Sequence, residues 1–387
     1  MNGVQTISLG EIMAKKSGSV DPSKFPGEVF DLYSIPAFDS RQPEVVAGKL
    51  IGSTKQIVEP GDVLLSKIVP HIRRSWVVGE KQGRRIIASG EWIVFRSEKI
   101  YPNYLRHVLV SDPFHSKFMS TVSGVGGSLL RARPAFVEKI KIPLPPLEEQ
   151  KRIADILDRA EALRAKRRAS LAQLDELTQA IFIDMFGDPV ANPKGWLHAK
   201  LGDVIFSASD GPHVSPEYTE NGVPFLSTRH VRAGEITWED LKFISKEDAE
   251  IQWRKCKPER GDILYTKGGT TGLAATVKTD RLFAIWVHVS LLKPDPEKVD
   301  SLWLESMLNN EFCYQQSQVL THGIANRDLG LTRMVKIKIF LPPLHLQKEF
   351  SHRIDTLERM KIVHKASLAE LNELFASLQY RAFRGEL

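Results

Sequence analysis

Hydrophobic and polar positions alternate along this 387-residue chain in two ways. In two stretches the apolar residues recur at three- and four-residue steps. The first carries Ile153, Leu157, Ala160, Leu171, Leu174 and Ile181; the second carries Phe350, Ile354, Leu357, Leu368, Leu371, Phe375 and Leu378. That spacing predicts long helices with a heptad-like seam. Pro145–Pro146 and Pro342–Pro343 hold each start extended, Glu148 and Glu149 suit the positive end of the first helix, and Gly187 and Gly385 are the expected stops. About 36 residues at 1.5 Å each make a rod of roughly 54 Å.

Elsewhere the period is two. "KLIGSTKQIVEPGDVLLSKI", "RRIIASGEWIVFRS" and "RGDILYTKGGTTGLAATV" alternate short β-branched runs with Gly, Pro, Asp and Ser turns, which predicts β-rich blocks. "LFAIWVHVSLL" (282–292) reads as one buried strand, and "SLWLESMLNNEFCYQQSQ" as a helix.

The two helical stretches are copies. At an offset of 197, Leu144–Leu177 and Leu341–Leu374 match without a gap at 15 of 34 positions. Upstream, "EKIKIPLPPL" faces "VKIKIFLPPL", "GDVLLSK" (61–67) faces "GDILYTK" (261–267), and "LGEI" (9–12) faces "LGDV" (201–204). Both seams are interrupted at the same places, by Arg164 and Arg167 in one and by Lys361 and His364 in the other. A shared polar interruption sets register or gives mid-helix a different neighbour. The order is thus variable block (1–143), similar helix (144–186), variable block (187–340), similar helix (341–387). The expected fold class is α+β: two β-rich globular domains, two long antiparallel helices as a coiled-coil-like spacer, and an internal pseudo-twofold duplication.

Composition adds little. At 42% hydrophobic and 26% charged the chain has the balance of a globular protein. No apolar run approaches the roughly 20 residues that span a bilayer, and the N-terminus lacks the basic and apolar regions of a signal peptide. Cys256 and Cys313 show no metal or disulfide spacing, which fits a reducing cytoplasm. A formal charge of +6 permits an anionic partner without requiring one.

Motifs for chemistry are absent from the sequence. There is no GxxxxGK[ST], GxSxG or HExxH; "GGTTG" (268–272) lacks the Lys of a phosphate loop and reads as a turn. "NPKGW" (192–196) has Lys194 and Gly195 where an amino-methyltransferase site needs proline and an aromatic ring, so it too reads as a turn. No catalytic residue, metal ligand or bound cofactor is expected. Basic and polar side chains do gather on the turn-rich segments of both variable blocks. They are Lys67, His71, Arg73, Arg74, Arg84, Arg85, Arg131 and Arg133 in the first, and His213, Thr228, Arg229, His230, Arg232, Lys267, Asn326 and Arg327 in the second. Lys and Arg neutralise phosphates, Arg bonds guanine in bidentate fashion and Asn does so with adenine. These are the candidate DNA-binding residues.

The block order and the two "LPPL..QK" helix starts resemble the specificity subunit of type I restriction-modification systems, over essentially the whole chain. The residues that carry the likeness are Pro145, Pro146, Leu147, Glu149 and Gln150, and Pro342, Pro343, Leu344 and Gln347. The second copy departs at Leu346, which stands at the position of Glu149. The resemblance implies two target-recognition domains that bind double-stranded DNA. It implies docking of two methyltransferase subunits at those helix starts, and with them two motor-nuclease subunits; S-adenosylmethionine, ATP and Mg would reside on the partners. A spacer between two unlike readers implies two half-sites at fixed separation. Two other readings stand open: a coiled-coil adaptor that binds only proteins, and a nuclease or methyltransferase with a degenerate site.

Overall fold

The computed structural model describes residues 5–14, 18–124, 130–323 and 326–387. It divides into two compact units, Met1–Arg168 with Ala366–Leu387, and Ala169–Lys365. Each unit therefore contains one globular block and half of each long helix.

The long helices span Leu147–Phe186 and Leu344–Ala382, 40 and 39 residues, or about 60 Å each at 1.5 Å per residue. Both begin directly after the proline pairs. Gly187 ends the first in the left-handed region (φ +82), and the Lys194 ammonium covers its last carbonyls, Asp184 and Met185. The second stops three residues short of the predicted Gly385. Within the first unit Arg152 bonds the Leu387 carbonyl and Arg164 Nε bonds Asn372 Oδ1 at 2.7 Å; within the second, Lys361 Nζ meets Asp175 at 2.9 Å. One number rises as the other falls, so the helices run antiparallel. Arg164 and Lys361 stand 197 apart, as do Asp175 and Asn372. The polar interruptions of the two seams are equivalent cross-helix rungs.

Ile153, Leu157, Ala160 and Leu174 of the first seam are buried, as are Phe350, Ile354, Leu357 and Phe375 of the second. They join the cores of the blocks beside them. Phe182 and Phe186, outside the predicted stripe, are also buried, against Phe350 and Phe340 in the second unit.

The first block holds a five-stranded sheet in the order Ser19–Val20, Lys55–Ile57, Arg85–Ala88, Val29–Tyr33, Glu44–Ala47, and a three-stranded one in the order Ser75–Val77, Val63–Ser66, Trp92–Phe95. The second holds a four-stranded sheet, Ile205–Asp210, Val289–Pro294, Ile263–Thr266, Ala274–Thr276, and a three-stranded one, Lys242–Ile244, Val223–Leu226, Ala284–Ile285. In each block Val29–Tyr33 with Arg85–Ala88, and Val223–Leu226 with Ala284–Ile285, are the parallel pairs. The predicted strand over 282–292 is two strands. They are parted where the Val289 amide turns back onto the Trp286 carbonyl. The helix predicted over 301–318 is likewise two, Ser301–Leu308 and Glu311–Leu320. Asn309 bonds the backbone of Ala274 through both ends of its amide, and Asn310 caps the second helix.

The sequence landmarks prove to be joints. Leu9 and Gly10 donate to the carbonyls of Ile140 and Glu138 at 2.9 and 2.8 Å; Leu201 and Gly202 donate to Ile337 and Val335 at 2.8 and 2.9 Å. Gly61 and Gly261 sit at φ +84 and +93, and the carboxylates of Asp62 and Asp262 accept from the amides of Glu59 and Glu259, both at 2.8 Å. A turn needing both a left-handed residue and a short acceptor explains why Gly-Asp stands in both copies.

Gln150 and Gln347 secure the helix starts. Each is almost fully buried: Gln150 Oε1 accepts from the Tyr101 amide at 2.7 Å and its Nε2 donates to the Pro145 carbonyl at 2.8 Å. Gln347 does the same with Asp300 and Pro342, at 2.9 and 2.7 Å.

The first unit also contains a buried imidazole. His107, on helix Pro102–Val110, places Nε2 2.7 Å from Asp158 Oδ1; Arg106 donates to Asp158 at 2.6 Å and to Glu161 at 2.8 Å. Burial holds the His107 pKa below its ordinary 6.5 despite the Asp158 carboxylate, and the neighbouring Arg106 adds to the depression. Burial alone would raise Asp158 and Glu161, but His107 and Arg106 hold both carboxyls below their ordinary values.

Gln150→Ala leaves the half-buried Tyr101 amide without its acceptor and should cost about 2 kcal/mol in urea unfolding. Glu149→Ala, one residue away and bonded among the described residues only to Arg152 of its own helix, should change stability by less than about 0.5 kcal/mol. A histidine whose folded pKa lies below its unfolded value stabilises the fold above that value, and the contribution is lost as pH falls through about 6.5. Wild type should therefore lose stability from about pH 6.5 downward relative to His107→Gln. Equal pH profiles for the two proteins would contradict a neutral His107.

Candidate nucleic-acid interface

In the first unit two separate basic segments meet. Strand Val63–Ser66 runs into the loop 67–74, which is closed by the Ser66 amide on the Arg74 carbonyl. The Lys67 carbonyl accepts from the Ala132 amide at 2.8 Å, and the Val69 amide donates to Leu130 at 3.1 Å. Lys67 and Arg131 converge on Glu91, at 4.0 and 3.3 Å. His71 and Arg133 are exposed, with Arg133 over the Phe136 ring at 4.1 Å. Arg73 pairs with Asp112 at 2.5 Å, and Arg74 is half-buried, its Nε and Nη1 without a partner among the described residues. Of the neighbouring "GGSLLRARP" segment, Gly126–Leu129 lie outside the described residues.

Arg84 and Arg85 do not join this group. They lie at the start of a strand of the five-stranded sheet, where Arg84 bonds Asp31 at 2.6 Å and Arg85 grips Glu28 with two 2.6 Å bonds. The single bond of Arg84 and the bidentate pair of Arg85 engage both guanidinium groups within the block, away from the loop junction.

The second unit repeats the junction. The Lys267 carbonyl accepts from the Leu329 amide at 2.8 Å, and the Gly269 amide donates to Arg327 at 3.0 Å. Positions Ala132 and Leu329, and Leu130 and Arg327, are 197 apart; Lys67 and Lys267 are 200 apart. Even the support recurs: the Lys67 amide donates to Glu91 and the Lys267 amide to His288, again 197 apart. "GGTTG" is the turn of this loop, and Ile324 and Ala325 of the facing segment lie outside the described residues.

Asn326 and Arg327 are exposed here, Arg327 donating to Gln318 at 2.5 Å. Lys267, by contrast, is buried between Asp210 at 3.2 Å and Asp328 at 3.4 Å. Burial would raise the Asp210 carboxyl, but Lys255 and Lys267 outweigh it and hold it below the usual carboxylate range. Exposed His213 lies 3.6 Å from Asp210. Thr228, Arg229 and His230 form the turn after strand Val223–Leu226. Thr228 is half-buried, Arg229 is exposed and bonded to the Asp240 carbonyl, and Arg232 is exposed on the hairpin that follows. His230 is 2% exposed with Nδ1 accepting from the Ser227 amide, and burial lowers its pKa. His230 and Lys267 are thus internal supports rather than surface contacts. Sequence reasoning missed the carboxylates that hold the cations, Glu91, Asp210 and Asp328. The 197-residue offset linking Glu91 to His288 was the available signal.

At the helix starts, Pro146, Leu147 and Pro343 are exposed, and Pro145, Glu149 and Leu344 half-buried. Pro342, Gln150 and Gln347 are buried, so the two glutamines act as internal anchors and not as docking surface. His107, Asp158 and Glu161 form a cluster with the side-chain types of a metal site. Arg106 already bridges both carboxylates, which makes it an ion-pair network. Among the described residues no helix is long and apolar enough to cross a membrane.

Residues 1–174 and 193–373 match the family described as the type I restriction modification DNA specificity domain. The EcoKI specificity subunit of Escherichia coli K12 is 26% identical over 328 residues, covering 76% of this chain and 68% of its own length. The StySPI specificity subunit of Salmonella potsdam is 26% identical over 382 residues, covering 90% and 80%. The type I restriction-modification S subunit of M. genitalium shares the fold, with a TM-score of 0.60 at 11% identity over 99% of this chain and 97% of that one. A chain solved in work on assembly and conformational transition of the type I R-M system shares it too, at TM-score 0.56, 22% identity and coverage of 100% and 99%. With the family matching both globular blocks and most of both long helices, the chain belongs to the type I restriction-modification specificity subunits.

Proposed function

We propose that this chain reads double-stranded DNA for a type I restriction-modification complex, each unit recognising one half of a bipartite target through its paired loops. The observation that carries the reading is the repeated junction. The same backbone bonds bring Lys67 to Ala132 and Lys267 to Leu329, and set exposed side chains of two loops side by side. Bonded backbones hold the loops in place before binding, so less conformational freedom is lost when they meet a groove. In the first unit Lys67, His71, Arg73, Arg131 and Arg133 supply the contacts; in the second, His213, Thr228, Arg229, Arg232, Asn326 and Arg327 do so. Different side chains on one backbone plan suit two different half-sites.

The exposed helix starts, around Pro146–Leu147 and Pro343–Leu344, dock two methyltransferase subunits, which bring two motor-nuclease subunits. The chain itself is not catalytic. S-adenosylmethionine, ATP and Mg belong to the partners, since methylation requires a flipped base held in a separate pocket. The complex works in the cytoplasm.

With the methyltransferase present, replacing residues 187–340 by the corresponding block of another specificity subunit should change one half of the methylated motif. Sequencing of modified bases reads this directly, and a change in both halves contradicts one reader per unit. Arg327→Ala should weaken specific binding by about 1–3 kcal/mol if it reads a base, whereas a phosphate contact would lower the salt slope by about one. Binding that does not respond to salt would instead support a protein-only adaptor.

A further inference from the structure

A cleft in the first unit lies between helix Pro102–Val110, strand Ser75–Val77 and the paired long helices. Its volume is about 300 Å³ and it is lined by four arginines, Arg41, Arg73, Arg106 and Arg164, against one carboxylate, Glu161. Arg73 and Arg106 have acidic partners in Asp112 and Asp158. Arg41 and Arg164 have none within ion-pair distance among the described residues; Arg164 bonds the neutral Asn372 and lies over the Phe375 ring. Arg164 is half-buried and Arg41 exposed, and partial loss of solvent around each guanidinium holds its pKa below the ordinary arginine value. Arg41 is also at φ +57, a conformation L residues rarely adopt, with its guanidinium 3.9 Å over Phe38.

Two further donors are left over. Among the described residues the Ser75 hydroxyl, on a residue 1% exposed, has no hydrogen-bond partner, and neither has the buried Gln379 Nε2. Both residues line the cleft. Buried polar groups are normally satisfied, so these call for an acceptor.

The equivalent cleft of the second unit shows that the excess of positive charge is not a consequence of the fold. There Lys361 takes the position of Arg164, and Asp175 that of Asn372. Glu305 stands where helix Pro102–Val110 has Arg106, four residues after the helix start in each case. That cleft is lined by four basic and five acidic side chains, and Lys361 is paired with both Asp175 and Glu358. Charge is balanced in one copy and left open in the other.

We propose that the first cleft binds a phosphate group, with Arg41, Arg164, Ser75 and Gln379 as its donors. Guanidinium, hydroxyl and amide donors on several sides match a tetrahedral oxyanion. The phosphate can come from a nucleic-acid backbone or from a free ion, and the cleft has room for an ester substituent.

Thermal unfolding of the full chain in phosphate and in chloride at equal ionic strength decides the matter. At phosphate tenfold above its Kd the wild type should melt about 3 °C higher than in chloride. The gain should vanish in Arg41→Gln and shrink in Ser75→Ala, which removes only a hydroxyl and serves if the first variant does not fold. A wild type indifferent to phosphate, or variants that gain as much as it does, would overturn the proposal. Given the phosphate response, titration of a DNA duplex at several salt concentrations distinguishes the sources. A salt slope lower by about 0.9 in Arg41→Gln marks a backbone phosphate as occupant, and an unchanged slope marks the free ion. The melting experiment stands even if the chain reads no DNA.

Discussion

Two buried amides fix where each globular block meets its long helix. Gln150 and Gln347 each tie a carbonyl of the proline pair to a backbone amide of the block, Tyr101 in one copy and Asp300 in the other. In an apolar core such an amide must find all its partners or destabilise the fold, so the connection is directional as well as strong. The seam residues behind the glutamines, Ile153 and Leu157 or Phe350 and Ile354, then belong to the core of the block as much as to the helix pair. Without the anchor the helix could rotate under its block. With it, the loops at 67–74 and 267–273 are set relative to the helix start by a continuous chain of backbone bonds.

The duplication preserves backbone geometry and lets side chains diverge. The joints at Leu9 and Leu201, the turns at Asp62 and Asp262, and the loop junctions at Lys67 and Lys267 repeat to within a few tenths of an ångström. Backbone bonds ask little of a side chain except that it leave room, so they survive drift. Charges are not held in this way. Glu91 faces Lys67 in one copy while Asp210 and Asp328 enclose Lys267 in the other. Arg106 and Glu305 occupy one position with opposite signs.

The places where periodicity misled share a cause. The apolar run 282–292 is too uniform to mark its own break. The break is imposed by tertiary demand, since His288 must offer its carbonyl to both Lys267 and Gly268. Asn309 and Asn310 divide one predicted helix because Asn309 is recruited by strand Ala274–Thr276. Phe182 and Phe186 escaped the heptad stripe because they pack into the core of a globular block as well as against Phe350 of the opposite helix.

The sequence by itself determined the α+β class, the order of the blocks, the two helix starts and the duplication. All of these follow from local periodicity, proline geometry and a fixed offset. It also pointed to the segments that carry the candidate contacts. Only the tertiary structure decided which of those residues reach solvent. Arg84, Arg85, His230 and Lys267 look no different in sequence from Arg131 or Arg327, but the first two and Lys267 are held by carboxylates distant in the chain, and His230 is buried onto the amide of nearby Ser227. Whether a cation is free depends on partners 50 or more residues away for Arg84, Arg85 and Lys267, as the pairs with Asp31, Glu28 and Asp328 show. Such pairing leaves no periodic trace, and neither does its absence at Arg41 and Arg164, which have no acidic partner in ion-pair reach among the described residues.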